Sequence, residues 1–177
     1  MEGFSVISEA LPVEEMAFLR SRSLVTDPDA FGERYETAAA RTPEEWVEWL
    51  HKRTEGSYRK IFALKFAGRI VGSCGAGIEE GDPPEGYIYM VYLLPEYRGR
   101  GGADLLLQKV HQWLFGVGIR RIRAKVAAPN QHAIRFYQRL GYSVLGEAGF
   151  LHEGSAIPVY QIELQRERWK EKNVNPK

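Results

Sequence analysis

The chain has a single cysteine, Cys74, among 177 residues, so an internal disulfide framework is excluded and a reducing compartment fits. No apolar run is long enough to span a bilayer. The opening MEGFSVISEALPVEEM has no basic start leading into an apolar core, so no signal peptide is read there. Charge of one sign is also missing. The 24 Lys and Arg against 23 Asp and Glu leave a formal net charge of +1, which gives no reason to expect nucleic acid or a membrane surface as partner. The G-x-x-x-x-G-K-[ST] phosphate loop is absent, as is the G-x-S-x-G nucleophile elbow. His51, His111, His132 and His152 have no metal-ligand spacing with acids or with Cys74, so no metal is expected. What remains, 44% hydrophobic and 27% charged, is an ordinary soluble composition, long enough for one domain with a real core and expected in the cytoplasm.

The periodicity divides the chain clearly. FSVISEA reads as a first strand, and VEEMAFLRSRSLVTD has a helical stripe of Met16, Leu19 and Leu24. RTPEEW is a helix start: Thr42 as N-cap, Pro43 at the first helical position and Glu45 three residues after the cap. From residue 59 the pattern turns to strands, with KIFALKF and IVGSCGAGIEE joined at Ala67-Gly68-Arg69 as a hairpin. YIYMVYLL is apolar almost throughout, which predicts a strand buried on both faces. Helix ADLLLQKVHQWLFGVG, strand IRRIRAKVAA, helix NQHAIRFYQRL and strands YSVLGEA and IPVYQIEL follow. This order indicates a mixed α/β sheet, one domain over 1–165 with a charged tail at 166–177 that is expected to fray.

Two stretches carry chemistry. In PEYRGRGGADLL a strand meets a glycine-rich turn and a helix start, the parts of an anion site at a helix N-terminus. Arg98 and Arg100 add positive charge, and glycines let a ligand approach the backbone. A tight, glycine-closed strand-to-helix turn is the structural alternative. In PNQHAIRFYQRLGYSV, Asn130 is a good N-cap and Gly141 a helix stop; taken alone, this is a small amphipathic helix with Tyr137 as a core or rim aromatic.

Together, strand–Arg-x-x-Gly-x-Ala–helix followed by Asn-x-x-Ala-x-x-Phe-Tyr-x-x-Leu-Gly-Tyr resembles the GCN5-related N-acetyltransferase (GNAT) superfamily, most strongly over 87–144. The resemblance implies a central, mostly antiparallel sheet with splayed middle strands, flanked by helices. It implies that Arg98, Gly99, Arg100, Gly101, Gly102 and Ala103 hold the pyrophosphate of acetyl-CoA, used as co-substrate without a metal. The pantetheine arm would pair with strand backbone near Leu93, with Asn130 and Phe136 also on the cofactor. An amine would attack the thioester directly, with a strand amide near Leu93 facing the oxyanion and Tyr137 protonating the thiolate. The resemblance also admits a homodimer through the C-terminal strands.

The general base is where the pattern departs. Family members often carry a glutamate on the strand before the loop, where this chain has Tyr87, Ile88, Tyr89 and Met90. Glu85 is the nearest candidate, with Glu79, Glu80, Glu33 and Glu36 as alternatives, and a water chain could carry the proton instead. Cys74 reads as a packed thiol, and Arg121, Arg123 and Lys125 as a solvated or cofactor-rim strand face. Phe31, Tyr35, Trp46 and Trp49 read as core or pocket wall. The expected activity is therefore acetyl transfer to a primary amine of a small molecule, protein or peptide. Two other readings stay open: a non-catalytic acyl-CoA-binding regulatory domain, and an acetyltransferase for aminoacyl-tRNA.

Overall fold

A computed structural model of the protein describes residues 3–174. The elements run β1 (Phe4–Ile7), α1 (Val13–Thr26), α2 (Tyr35–Ala39), α3 (Pro43–Thr54), β2 (Arg59–Phe66), β3 (Arg69–Glu79), β4 (Glu85–Leu93), α4 (Gly102–Gly116), β5 (Arg121–Ala127), α5 (Gln131–Leu140), β6 (Ser143–Phe150), β7 (Pro158–Gln165) and α6 (Arg166–Val174). The seven strands form one sheet in the order β1-β2-β3-β4-β5-β7-β6. All neighbours are antiparallel except β4 and β5. This is the expected mixed architecture.

The local starts follow from the residues. At α3 the Thr42 hydroxyl accepts from the Glu45 amide while the Glu45 carboxylate accepts from the Thr42 amide, a complete capping box. At α5 the Asn130 side-chain oxygen accepts from the Ala133 amide at 3.0 Å. Strand periodicity then assigns the faces. Phe62 of β2 meets Trp113 of α4, and its cross-strand partner is Cys74. Gly75, one residue out of phase with Cys74, instead faces the ring of Tyr89. The burial of Tyr89 beside Arg53 of α3 puts that side under α1 and α3. The core lies between these helices and the sheet on one side and α4 on the other, with Ile61, Leu64, Leu107, Leu114, Ile122 and Leu164 fully buried.

Two expectations are corrected. β4 is not buried on both faces: Gly86 and Ile88 are buried, whereas Tyr87, Tyr89, Met90 and Val91 are half-buried. Its apolar run reflects one core face and one half-buried aromatic face. The segment read as a fraying tail forms helix α6 as far as Val174, and residues 175–177 lie outside the described residues. Charge alone hid the anchors of this helix. Trp169 packs 5.1 Å from the Phe115 ring of α4, Lys172 donates to the Arg139 carbonyl and Arg168 to the Ser143 hydroxyl.

Candidate active site

The middle of the sheet opens. Among the described residues β4 pairs with β5 only at Gly86–Ile122 and Tyr87–Arg123. From Ile88 to Leu93 the β4 edge facing β5 therefore carries backbone N–H and C=O groups with no strand beside them, a template for another extended group. Within this stretch the β3–β4 register slips: Ser73 faces Tyr92 but Gly75 faces Tyr89, so β4 holds one residue more than β3. Met90, at φ +52°, marks the bulge.

β4 runs directly into the glycine-rich turn. Gly99 and Gly101 both have positive φ, and Gly101 is the N-cap of α4 with no side-chain cap. The first backbone bond of the helix runs from the Leu105 amide to the Gly101 carbonyl. The amides of Gly102, Ala103 and Asp104 thus stand at the start of the helix, where geometry leaves them without intrahelical acceptors. Gly102 has a different reason to be glycine: a β-carbon there would lie 2.8 Å from the Leu64 side chain and 3.2 Å from the Phe4 ring. Close packing of α4 on β1 and β2 fixes that position, while Gly99 and Gly101 shape the turn.

Arg98 acts on the loop rather than in front of it. Its Nε donates to the Leu93 carbonyl at 2.9 Å, and its guanidinium pairs with Asp27, just past α1, at 2.7 Å. It also lies over the Tyr92 ring, whose hydroxyl meets that of Thr26. Arg100 remains exposed at the turn. Asp104, an acid in the first turn of α4, is paired with Arg139 of α5 at 2.7 Å, which offsets its charge at the positive end of the helix dipole.

Tyr137 is buried on α5, with its ring 5.2 Å from that of Tyr142 and 5.5 Å from Phe136. Burial, with a smaller contribution from Cys74, raises its phenol above the ordinary range, so it stays protonated. Tyr142 in turn bonds His111 of α4 at 2.8 Å. Burial lowers that imidazole to about 3 and keeps it neutral. Cys74 is fully buried and burial pushes its thiol up, which suits a packing residue and not a nucleophile.

The structure does not bring Glu85 to this place. It stands at the closed end of β4, five residues before Met90, roughly 17 Å away along an extended strand. Both its oxygens are held, by Arg121 at 2.9 Å and Arg123 at 2.8 Å, and Arg123 also reaches Glu163. Sequence reasoning saw Arg121 and Arg123 as a solvated or rim face; they are the partners of this carboxylate. Among the alternative acids, Glu33 is likewise occupied. It accepts from Arg20 Nε at 2.9 Å and from Arg41. Burial would raise its carboxyl, but the bonds and charges of the two arginines outweigh this and hold it below the usual range.

Sequence reasoning missed the cationic wall on the α1–α3 side. Arg20 lies over Phe31, Arg41 over Trp46, and Arg53 over Trp49. Tyr89 completes this wall, its phenol pushed up to about 12 by burial. Of the aromatics read as core or pocket wall, Phe31 and Trp49 are buried, Trp46 is half-buried and Tyr35 is exposed. A larger cavity of about 390 Å³ sits at the other end of the sheet, lined by Tyr58, Ile78, Glu80, Pro84 and Val117 among others. It adjoins neither the glycine turn nor Tyr137.

Comparison with known proteins gives this arrangement its context. The acetyltransferase (GNAT) family model matches residues 23–142. An uncharacterised N-acetyltransferase of Mycobacterium tuberculosis is 33% identical over 108 residues, spanning 59% of this chain and 68% of that one. The spermidine N-acetyltransferase of Vibrio cholerae, solved with CoA and spermine, superposes with a TM-score of 0.78 at 15% identity, covering 96% of this chain and 99% of the other. YncA from Salmonella typhimurium, solved with its cofactor acetyl-CoA, gives a TM-score of 0.72 at 15% identity, covering 93% and 94%. At such identities the two structures speak for the fold alone. The family match, which covers more than half of the sequence, goes further: this chain belongs to the GNAT family of N-acetyltransferases.

Proposed function

We propose that this acetyltransferase uses acetyl-CoA and transfers its acetyl group to a primary amine by direct attack. The observation that carries this reading is the open β4 edge from Ile88 to Leu93, running straight into the uncapped N-terminus of α4. An extended amide-bearing arm can pair with the first, and a pyrophosphate fits the second. The residues fit the group on both counts: amides of 102–104 with no helical acceptor, and strand backbone with no neighbour. Acetyl-CoA supplies the thioester carbonyl and the thiolate leaving group.

The rest is done by the chain. The amides of the turn from Gly99 to Ala103 bind the pyrophosphate, with Arg100 adding charge. Arg98 holds the turn against Leu93 and Asp27. The Asn130 amide nitrogen is a donor for the arm while its oxygen caps α5, and Phe136 of the same helix packs beside the arm. A β4 amide beside the bulge donates to the developing oxyanion. Tyr137, a phenol and so protonated at neutral pH, gives its proton to the departing sulfur. Glu85 has no part in the chemistry here; the amine loses its proton to water.

Tyr137→Phe tests this reading, because it removes one hydroxyl and keeps the ring. With CoA release followed over a panel of amines, kcat falls about 100-fold or more while KM for acetyl-CoA stays within twofold. Unchanged kcat would mean that another group protonates the thiolate. Acetyl-CoA binding without turnover on any amine would favour a regulatory, non-catalytic domain.

A further inference from the structure

Three buried donors on the α1–α3 side have no acceptor: Arg20 Nη1, Arg41 Nη1 and Trp49 Nε1. Arg20 is 8% exposed and Trp49 5%. A buried N–H left without a partner costs roughly 1–3 kcal/mol, more when it is charged, so such groups call for a ligand, a water or a function. Arg20 and Trp49 line one small cleft with Ser23, Ser73, Met90 and Tyr92. Its volume, about 10 Å³, is close to that of a single water. The cleft ends at Met90, the bulge residue, and so reaches the part of β4 where the oxyanion donor is proposed.

The charge around it is net positive. Arg20, Arg41 and Arg53 sit close enough to oppose one another's charge, and the carboxylate they share is Glu33. Asp27, just past α1, is taken by Arg98. A polycation would meet this surface at an electrostatic cost, whereas an anion would find a guanidinium corner and an indole N–H already desolvated and held by Glu33, Phe31 and Arg53. Met90 is the adaptable member of the lining, able to move aside when a group larger than water enters.

We propose that the acceptor amine also bears a carboxylate, seated between Arg20 and Trp49 beside Met90, so that the substrate is of the amino-acid type and not a polyamine. This rests on the acetyltransferase reading above and narrows its acceptor. No bond changes at the carboxylate; its role is to hold the amine at the thioester.

The test uses the full chain and matched acceptors: amino acids, their carboxamides, their decarboxylated amines, and spermidine. CoA release gives kcat/KM for each. Calorimetric titration of N-acetyl amino acids and their amides, with CoA present, reads binding independently of turnover. The expected result is a preference for acid over amide of tenfold or more in both measurements, and little turnover of spermidine. Trp49→Phe, which removes the indole N–H together with the five-membered ring, and Arg20→Lys, which keeps the charge without the fork, should each shrink that preference severalfold. Equal use of acids and amides, or spermidine as the best acceptor, overturns the inference and leaves the acetyltransferase intact. Failure of acetyl-CoA to bind sinks the acetyltransferase reading, while the calorimetric series still decides whether carboxylates are held.

Discussion

The ring of Tyr89 occupies the space where Gly75 would carry a side chain: a β-carbon at Gly75 would stand 2.5 Å from the Cζ of that phenol. Gly77 relates to Tyr87 in the same way, at 2.4 Å. β3 is thin where β4 is broad, and the rings of Tyr87 and Tyr89 lie in the space this leaves.

Gly75→Ala should therefore expel Tyr89 from its place. We expect a loss of about 1–3 kcal/mol, read as a lower urea midpoint at unchanged slope. Tyr89→Ala in the Gly75→Ala background should cost less than the sum of the two single changes. Full additivity would show that the ring is not what the glycine accommodates.

The brace under the glycine turn predicts a graded effect. Asp27→Asn removes only the partly exposed ion pair and should raise KM for acetyl-CoA about two- to fivefold. Arg98→Ala also removes the bond to the Leu93 carbonyl, and should raise it about tenfold. Steady-state kinetics at saturating amine distinguish bracing from direct phosphate contact. If Arg98 touched phosphate, Asp27→Asn would free it to do so and would tighten binding.

Glu85 joins β4 to β5 at the closed end through Arg121 and Arg123. Glu85→Gln should cost about 1 kcal/mol of stability, since the network is partly solvated, and should leave kcat and its pH profile unchanged. A large fall in kcat, with a shift in the acid limb of the profile, would restore Glu85 as the general base.

His111 makes the fold sensitive to acid. Its imidazole is lowered from the ordinary 6.5 to about 3 by burial, so the unfolded chain takes up a proton that the folded chain refuses. The neutral ring contributes stability fully above pH 6.5, and this is lost as pH falls from 6.5 towards 3. His111→Gln can still bond the Tyr142 hydroxyl but does not titrate. The stability of wild type relative to this variant should fall by about 1.4 kcal/mol per pH unit below 6.5, measured by urea unfolding at pH 7.5, 5.5 and 4.5. A constant difference across that range would place the ring in contact with solvent.

Much of the frame could be read before the structure. Thr42 and Glu45 announce α3 because a capping box is written in adjacent residues, and Asn130 caps α5 for the same local reason. The glycine turn was readable as a tight entry to a helix N-terminus, but not the division of labour within it. Whether Gly102 serves a ligand or a neighbour depends on Leu64 and Phe4, distant in sequence. The Arg20–Glu33–Arg41 cluster was out of reach for the same reason, since its members come from a helix, a loop and a second loop. One signal was available and unused. Glycines two apart at 75 and 77 face tyrosines two apart at 87 and 89, which an antiparallel pairing brings ring to backbone. Read that way, YIYMVYLL would have appeared as a strand with an aromatic face and not as one sunk in the core.

The extra residue at Met90 has a consequence for how β4 can change. A strand alternates sides strictly, so Tyr87 and Tyr89 share a side and Tyr92, three positions on, belongs to the other. The bulge resets that parity, and Tyr92 rejoins its fellows, reaching Thr26 of α1. Removing the extra residue would make β4 regular and leave the side chains of 91–93 on the sides they already occupy. What would be lost is the kink at Met90, where the strand turns out of regular pairing with β3.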